Sequence, residues 1–158
     1  MTLIRSRIIA EARSWIGTPY RHQASLKGVG CDCLGLIRGV WRALYGEEPE
    51  RAPPYARDWA EVATNEPLAE AGLRHLIAVN ANDFAPGDVL LFRWRAGMVA
   101  KHAAIVSAPD TMIHAHDGAA VAEVTLAPWW RRRIAYAFAF PGVSDFLLYP
   151  RPCGEGRE

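Results

Sequence analysis

The chain is poor in cysteine, has no long apolar run, and carries little excess charge of either sign. None of its 158 residues belongs to a run of eighteen apolar residues, so no transmembrane helix is expected. Its three cysteines are Cys31, Cys33 and Cys153. The count is odd, and Cys31 and Cys33 are too close for an ordinary bridge, so no disulfide framework is expected. A net charge of +1 gives no global attraction to nucleic acid or to anionic membranes. No repeat, low-complexity tract or linker marks a second domain. At the N-terminus, Arg5, Arg7, Glu11 and Arg13 interrupt any apolar stretch of the kind a secretion signal needs. Synthesis in the cytoplasm with no encoded export route is the expectation.

What is present is an apolar fraction of 51%, enough for one domain with a sizeable core. Residues 2–16 read as a helix with Ile4, Ile8, Ile9, Ala12 and Ile16 on one side, ended by the GTPY of residues 17–20. Leu36, Ile37, Val40, Trp41 and Leu44 recur at helical spacing, so a second helix is expected from Cys33 to about Tyr45, stopped by Gly46. Gly35 and Gly39 share one face of it and would let another backbone approach. EEPERAPPY must be loop. Arg57 to Ala63 reads as a helical turn or short helix, and Leu68 to Val79 as a helix with Gly72 as a weak point. From Pro86 the pattern changes. VLLFRW, HAAIVS, TMIHAH, AVAEVTL and IAYAFAF are short strand-like runs with turn signals between them. Helices first and strands second indicate an α+β domain whose N-terminal helices pack on a C-terminal antiparallel meander of about five strands. Residues 143–158 read as an irregular tail with one apolar patch, Phe146 to Tyr149, which either docks elsewhere or folds back.

The segment GCDCLGLIRGVW carries the chemical signal. A glycine-containing loop leads into a cysteine in the first turn of a helix, with Asp32 placed as its N-cap. The N–H groups and positive dipole end of a helix favour a thiolate there. The competing reading is a buried, inert cysteine. A nucleophilic cysteine needs a base, and the base needs an orienting partner. Five histidines are available. His22 lies in the loop before Cys33 and His75 on a surface helix. His102 opens one strand, while His114 and His116 share a face of the next. His102 and His114 can pair across adjacent strands beneath the N-terminus of the Cys33 helix. Which histidine faces Cys33 is left open by the residues themselves. Cys31-x-Cys33 and His114-x-His116 lack the spacing of structural zinc pairs, so no metal is expected.

GTPY, GCDCLGL, PGDVLLF, KHAAIV and MIHA, in this order over about residues 5–141, resemble the NlpC/p-sixty superfamily of papain-like cysteine peptidases. The resemblance implies a papain-like NlpC-type fold, with residues 1–142 as the peptidase domain and 143–158 as a tail. It implies Cys33 as nucleophile, His102 as general base, His114 in the third position, and Tyr20 lining the site. Asp32 and Tyr20 are then candidates for the substrate-binding or oxyanion region, and no cofactor is required. The implied activity is hydrolysis of peptidoglycan stem peptides between γ-linked D-glutamate and a diamino acid such as meso-diaminopimelate. Leu34 stands where the usual motif has serine, as in a phage-derived subgroup that accompanies tail genes and gene transfer agents. The implied partners are therefore tail or gene-transfer-agent hub proteins. The implied location is a virion-like tail acting in the periplasm or cell wall of a target bacterium. The rival expectations are a structural tail-hub component with a retained peptidase fold, and an amidase or acyltransferase on another substrate.

Overall fold

The computed structural model describes residues 3–52 and 65–144. Strand β1 (Leu3–Ile4) leads directly into helix α1 (Arg5–Arg13). This helix is shorter at both ends than the expected 2–16. Ile4 is extended, and the chain turns after Arg13 to reach Gly17 at φ +91°. Ile8, Ile9 and Ala12 are buried as their spacing dictates, but Ile4 and Ile16 are exposed and Trp15 takes the inward place instead. A hairpin of β2 (Ser25–Leu26) and β3 (Gly30–Cys31) precedes helix α2 (Cys33–Tyr45), which ends at Gly46 with φ +91°.

Leu36 and Val40 of α2 are fully buried. The two glycines on this helix serve different neighbours. A Cβ on Gly35 would lie 1.9 Å from the Ala24 carbonyl oxygen, so a backbone does approach there. A Cβ on Gly39 would lie 2.0 Å from the Trp15 indole, so that glycine admits a side chain from the end of α1.

Helix α3 (Pro67–His75) and strand β4 (Ile77–Val79) replace the single helix expected over 68–79. Gly72 is a packing site, since its Cβ would stand 2.7 Å from the Phe138 ring. The turn or helix expected at 57–63 lies outside the described residues.

The remaining elements are β5 (Val89–Phe92), β6 (His102–Ala108), β7 (Thr111–His114), β8 (Ala122–Thr125), the short helix α4 (Pro128–Arg131), β9 (Ile134–Ala139) and β10 (Val143–Ser144). The main sheet has six antiparallel strands in the order β4-β9-β5-β6-β7-β8. Strands β5 to β8 form the expected meander. β9 then returns to enter between β4 and β5, and β4 supplies the strand beyond the expected five. β10 pairs in parallel with β1, Leu3 beside Val143 and Ile4 beside Ser144. The first residues of the expected tail are thus a strand, while Phe146 to Tyr149 lie outside the described residues.

Strand alternation sends side chains to two cores. Ala103, Ile105 and Ile113 face Ile8, Leu36 and Val40 of the helices. Leu90, Phe92, Val106 and Met112 face Leu126 and Trp130 on the other side. At the α1 end of the sheet, Arg5 donates through Nη1 to Asp88 Oδ1 at 2.7 Å and to the Pro86 carbonyl at 3.0 Å. Asp88 Oδ2 accepts from Ala85 N–H at 2.9 Å, and both charged side chains are buried. The PGD turn is therefore an anchor for α1 as well as a reversal of the chain. Among the described residues, no helix is long and apolar enough to cross a membrane.

Candidate active site

The loop before α2 is tied to the helix by Asp32. Its Oδ1 accepts from Gly35 N–H at 2.7 Å, the N-cap bond expected from sequence. Its Oδ2 accepts from Gln23 N–H, also at 2.7 Å. Gln23 holds φ at 64°, the left-handed region that side chains other than glycine rarely occupy. One buried carboxylate thus starts the helix and fixes a strained turn beside it. Tyr20 is set by the same framework: it bridges to Cys31, and Cys31 N–H donates to the Pro19 carbonyl at 3.0 Å.

Cys33 occupies the first position of α2. The residue is half-buried. Sγ lies 3.9 Å from the Lys101 carbonyl, at the start of β6. Burial pushes the Cys33 thiol up to about 12, and the Asp32 carboxylate pushes in the same direction. Backbone N–H groups of Ala103, Leu34 and Cys33 act the opposite way without prevailing. The thiolate expected from the helix terminus is therefore not the resting form, because desolvation and the N-cap charge outweigh the helix end. Cys31 is fully buried, and burial raises its thiol to about 11.

His102 Nε2 and His114 Nδ1 are 2.9 Å apart, and both side chains are buried. The β6–β7 register pairs Ile105 with Ile113, which sets His114 diagonally across from His102 on one sheet face. That is within reach of an aromatic ring. This face is the one opposite α1 and α2. The N-terminus of α2 does not lie over the histidines as expected; Cys33 meets the strand at its beginning. Cys33 and His102 make no hydrogen bond in this structure, but both line one cleft of about 950 Å³ together with Tyr20, Asp32 and His116. His114 sits behind His102 and does not line it. Burial, followed by the charges of His114 and His116, holds His102 well below the usual imidazole range. Burial and then His116 lower His114 to about 4. The pair is neutral at pH 7.

Sequence reasoning missed the aromatic surround. The Trp94 ring stacks on His102 at 5.5 Å between centroids, and Trp130 packs against His102 at 5.5 Å and His114 at 5.3 Å. Trp129 packs edge-on against Trp130 at 4.9 Å. The available signal was the Trp129-Trp130 pair between two strands, apolar bulk that no strand absorbs. His116 also lies nearer than expected, its ring 5.5 Å from that of His102. Among the described residues, no group of three or more His, Cys, Asp or Glu side chains is arranged to hold a metal ion.

An α+β domain with a cysteine opening a helix and a histidine pair on the adjoining antiparallel sheet has the papain-like architecture. The chain belongs to the NlpC/P60 family, whose profile matches residues 17–137. Solved structures that share its fold include the following three. The NlpC/p60 domain of the peptidoglycan hydrolase SagA is 23% identical, with a TM-score of 0.58 over 86% of this chain and 98% of that one. An NlpC/P60 family protein from Bacillus cereus ATCC 10987 is 20% identical, with a TM-score of 0.62 over 89% of this chain and 41% of that one. An NLP/P60 family protein from Staphylococcus aureus Mu50, described as similar to lipoprotein, is 21% identical, with a TM-score of 0.57 over 86% and 41%. The chain thus spans less than half the length of the latter two. No match is found among curated proteins.

Proposed function

We propose that this domain is a cysteine endopeptidase that hydrolyses the γ-D-glutamyl–diamino acid bond of peptidoglycan stem peptides. Family membership supports the reaction class. The observation that carries the residue assignment is the buried His102–His114 pair, 2.9 Å apart, beside a cleft that Cys33 also lines. With His102 Nε2 engaged by His114 Nδ1, Nδ1 is the ring nitrogen of His102 left to take a proton. Cys33 Sγ attacks the amide carbonyl as its proton passes to His102. His102 returns that proton to the leaving amine, and water then hydrolyses the thioester. His114 accepts from His102 Nε2–H and fixes the tautomer, the part of the third triad member. Cys33 N–H and Tyr20 are the groups proposed for the oxyanion. Asp32 acts here through position, since its two oxygens hold the Gln23 turn and the helix start.

The test is digestion of purified peptidoglycan with fragments identified by mass spectrometry. The native protein should release peptides ending in γ-linked D-glutamate, and Cys33→Ala should release none. Cleavage at another bond, or equal activity in Cys33→Ala, would overturn the reading. Carriage on a phage-like or gene-transfer-agent tail rests on Leu34 and its likeness to that subgroup. Co-purification of the protein with such particles is expected, and its absence from them would remove the proposal.

A further inference from the structure

The cleft holds several cationic side chains whose situations differ. Arg38 and Arg74 are neutralised by Glu48 and Glu50. Arg133 is not: it has no acidic partner among the described residues. Its guanidinium carbon lies over the Trp129 ring, 3.7 Å from the centroid, and Nη1 donates to the Trp129 carbonyl at 2.8 Å. Nε is shut off from water and has no acceptor. The ring contact and the bond to the Trp129 carbonyl together hold the guanidinium in place. With Nε closed off, the donors that Arg133 offers to a planar anion in the cleft are those left on its two Nη atoms. Trp129 contacts Trp94 at 6.0 Å, and Trp94 stacks on His102, so the charge stands two rings away from the candidate base.

We propose that Arg133 is a specificity residue that receives a carboxylate of the substrate. This rests on the peptidase reading above. A stem peptide offers two sources of that chemistry: the free α-carboxylate of γ-linked D-glutamate on the acyl side, and the side-chain carboxylate of meso-diaminopimelate on the leaving side. Both present a planar anion to a guanidinium held in register. Amidation of the first, or lysine in place of the second, removes the anion and little else.

The experiment compares three synthetic peptides: L-Ala-γ-D-Glu-meso-diaminopimelate-D-Ala, its D-isoglutamine form, and its L-lysine form. The native protein should favour the fully carboxylated peptide over one of the two neutralised forms by about tenfold or more in kcat/KM. Whichever neutralised form loses rate identifies the source. Arg133→Gln should abolish that preference, the carboxylated and neutralised peptides then being cleaved with equal kcat/KM, and Arg133→Lys should restore part of it. A preference that survives in Arg133→Gln, or a native protein that does not discriminate, would overturn the proposal. Calorimetric binding of the same peptides to Cys33→Ala, with and without Arg133→Gln, separates this from failure of the peptidase reading. If nothing is cleaved but Arg133 still selects the carboxylated peptide in binding, only the catalytic assignment falls. If binding shows no Arg133-dependent selection, the Arg133 proposal falls, whatever is cleaved.

Discussion

At the scale of single residues, the resting site is a neutral thiol beside a neutral imidazole. The Asp32 carboxylate helps to hold the Cys33 proton in place. Asp32→Asn removes that charge and keeps an acceptor for the Gly35 N–H at the helix start, at the cost of the bond from Gln23 N–H, which an amide NH2 cannot accept. It should therefore lower the Cys33 pKa and speed alkylation by iodoacetamide near pH 8, read by adduct mapping; unchanged or slower labelling would exclude the electrostatic role. The buried histidines bear on stability. His114 falls from 6.5 to about 4 on folding, so the unfolded chain takes up protons between those values before the folded one does. Stability from this group is complete above about pH 6.5 and is lost as pH falls towards 4, a decline of roughly 3 kcal/mol. Urea titrations over that range should show the loss, and His114→Gln should reduce it, the buried His102 still contributing. The Cys33 position and the His102–His114 pairing were legible because a motif and a strand register each depend on local spacing. The indoles around them were not, because Trp94 and the Trp129–Trp130 pair come from separate segments that only the returning chain brings together.

At the scale of elements, sequence periodicity gave α2 to its ends, because its apolar repeat, N-cap and terminal glycine all agree. It overran α1 and α3. Ile4 and Ile16 extend the spacing of α1 but are exposed, and Trp15 is the residue the core receives. Leu76 and Ile77 extend the spacing of α3, yet pairing with β9 draws Ile77 into the sheet. A backbone ladder formed with residues some sixty positions away has no local signature. The Arg5–Asp88 pair is the corresponding non-local tie between α1 and the strand β5. Removing the carboxylate takes a counter-charge from Arg5 and an acceptor from the Ala85 N–H in the interior. Asp88→Asn should cost about 3–5 kcal/mol, read as a lower urea midpoint. A loss below about 1 kcal/mol would show that the pair adds little to stability.

At the scale of the whole molecule, the two ends of the described fold meet. Strand β10 lies alongside β1, so a chain stopped at residue 142 loses this pairing and one stopped at residue 144 keeps it. The shorter chain should unfold at a lower temperature than the longer one in a melting experiment. Equal Tm values would show that the pair adds nothing. Because the two strands run parallel, tension applied at residues 3 and 144 draws them past one another lengthwise instead of peeling them apart. Their inter-strand bonds then bear the load together, not one after another. A domain tethered at both ends would thus meet mechanical stress first at a sheared joint, with the cleft and its histidines behind it.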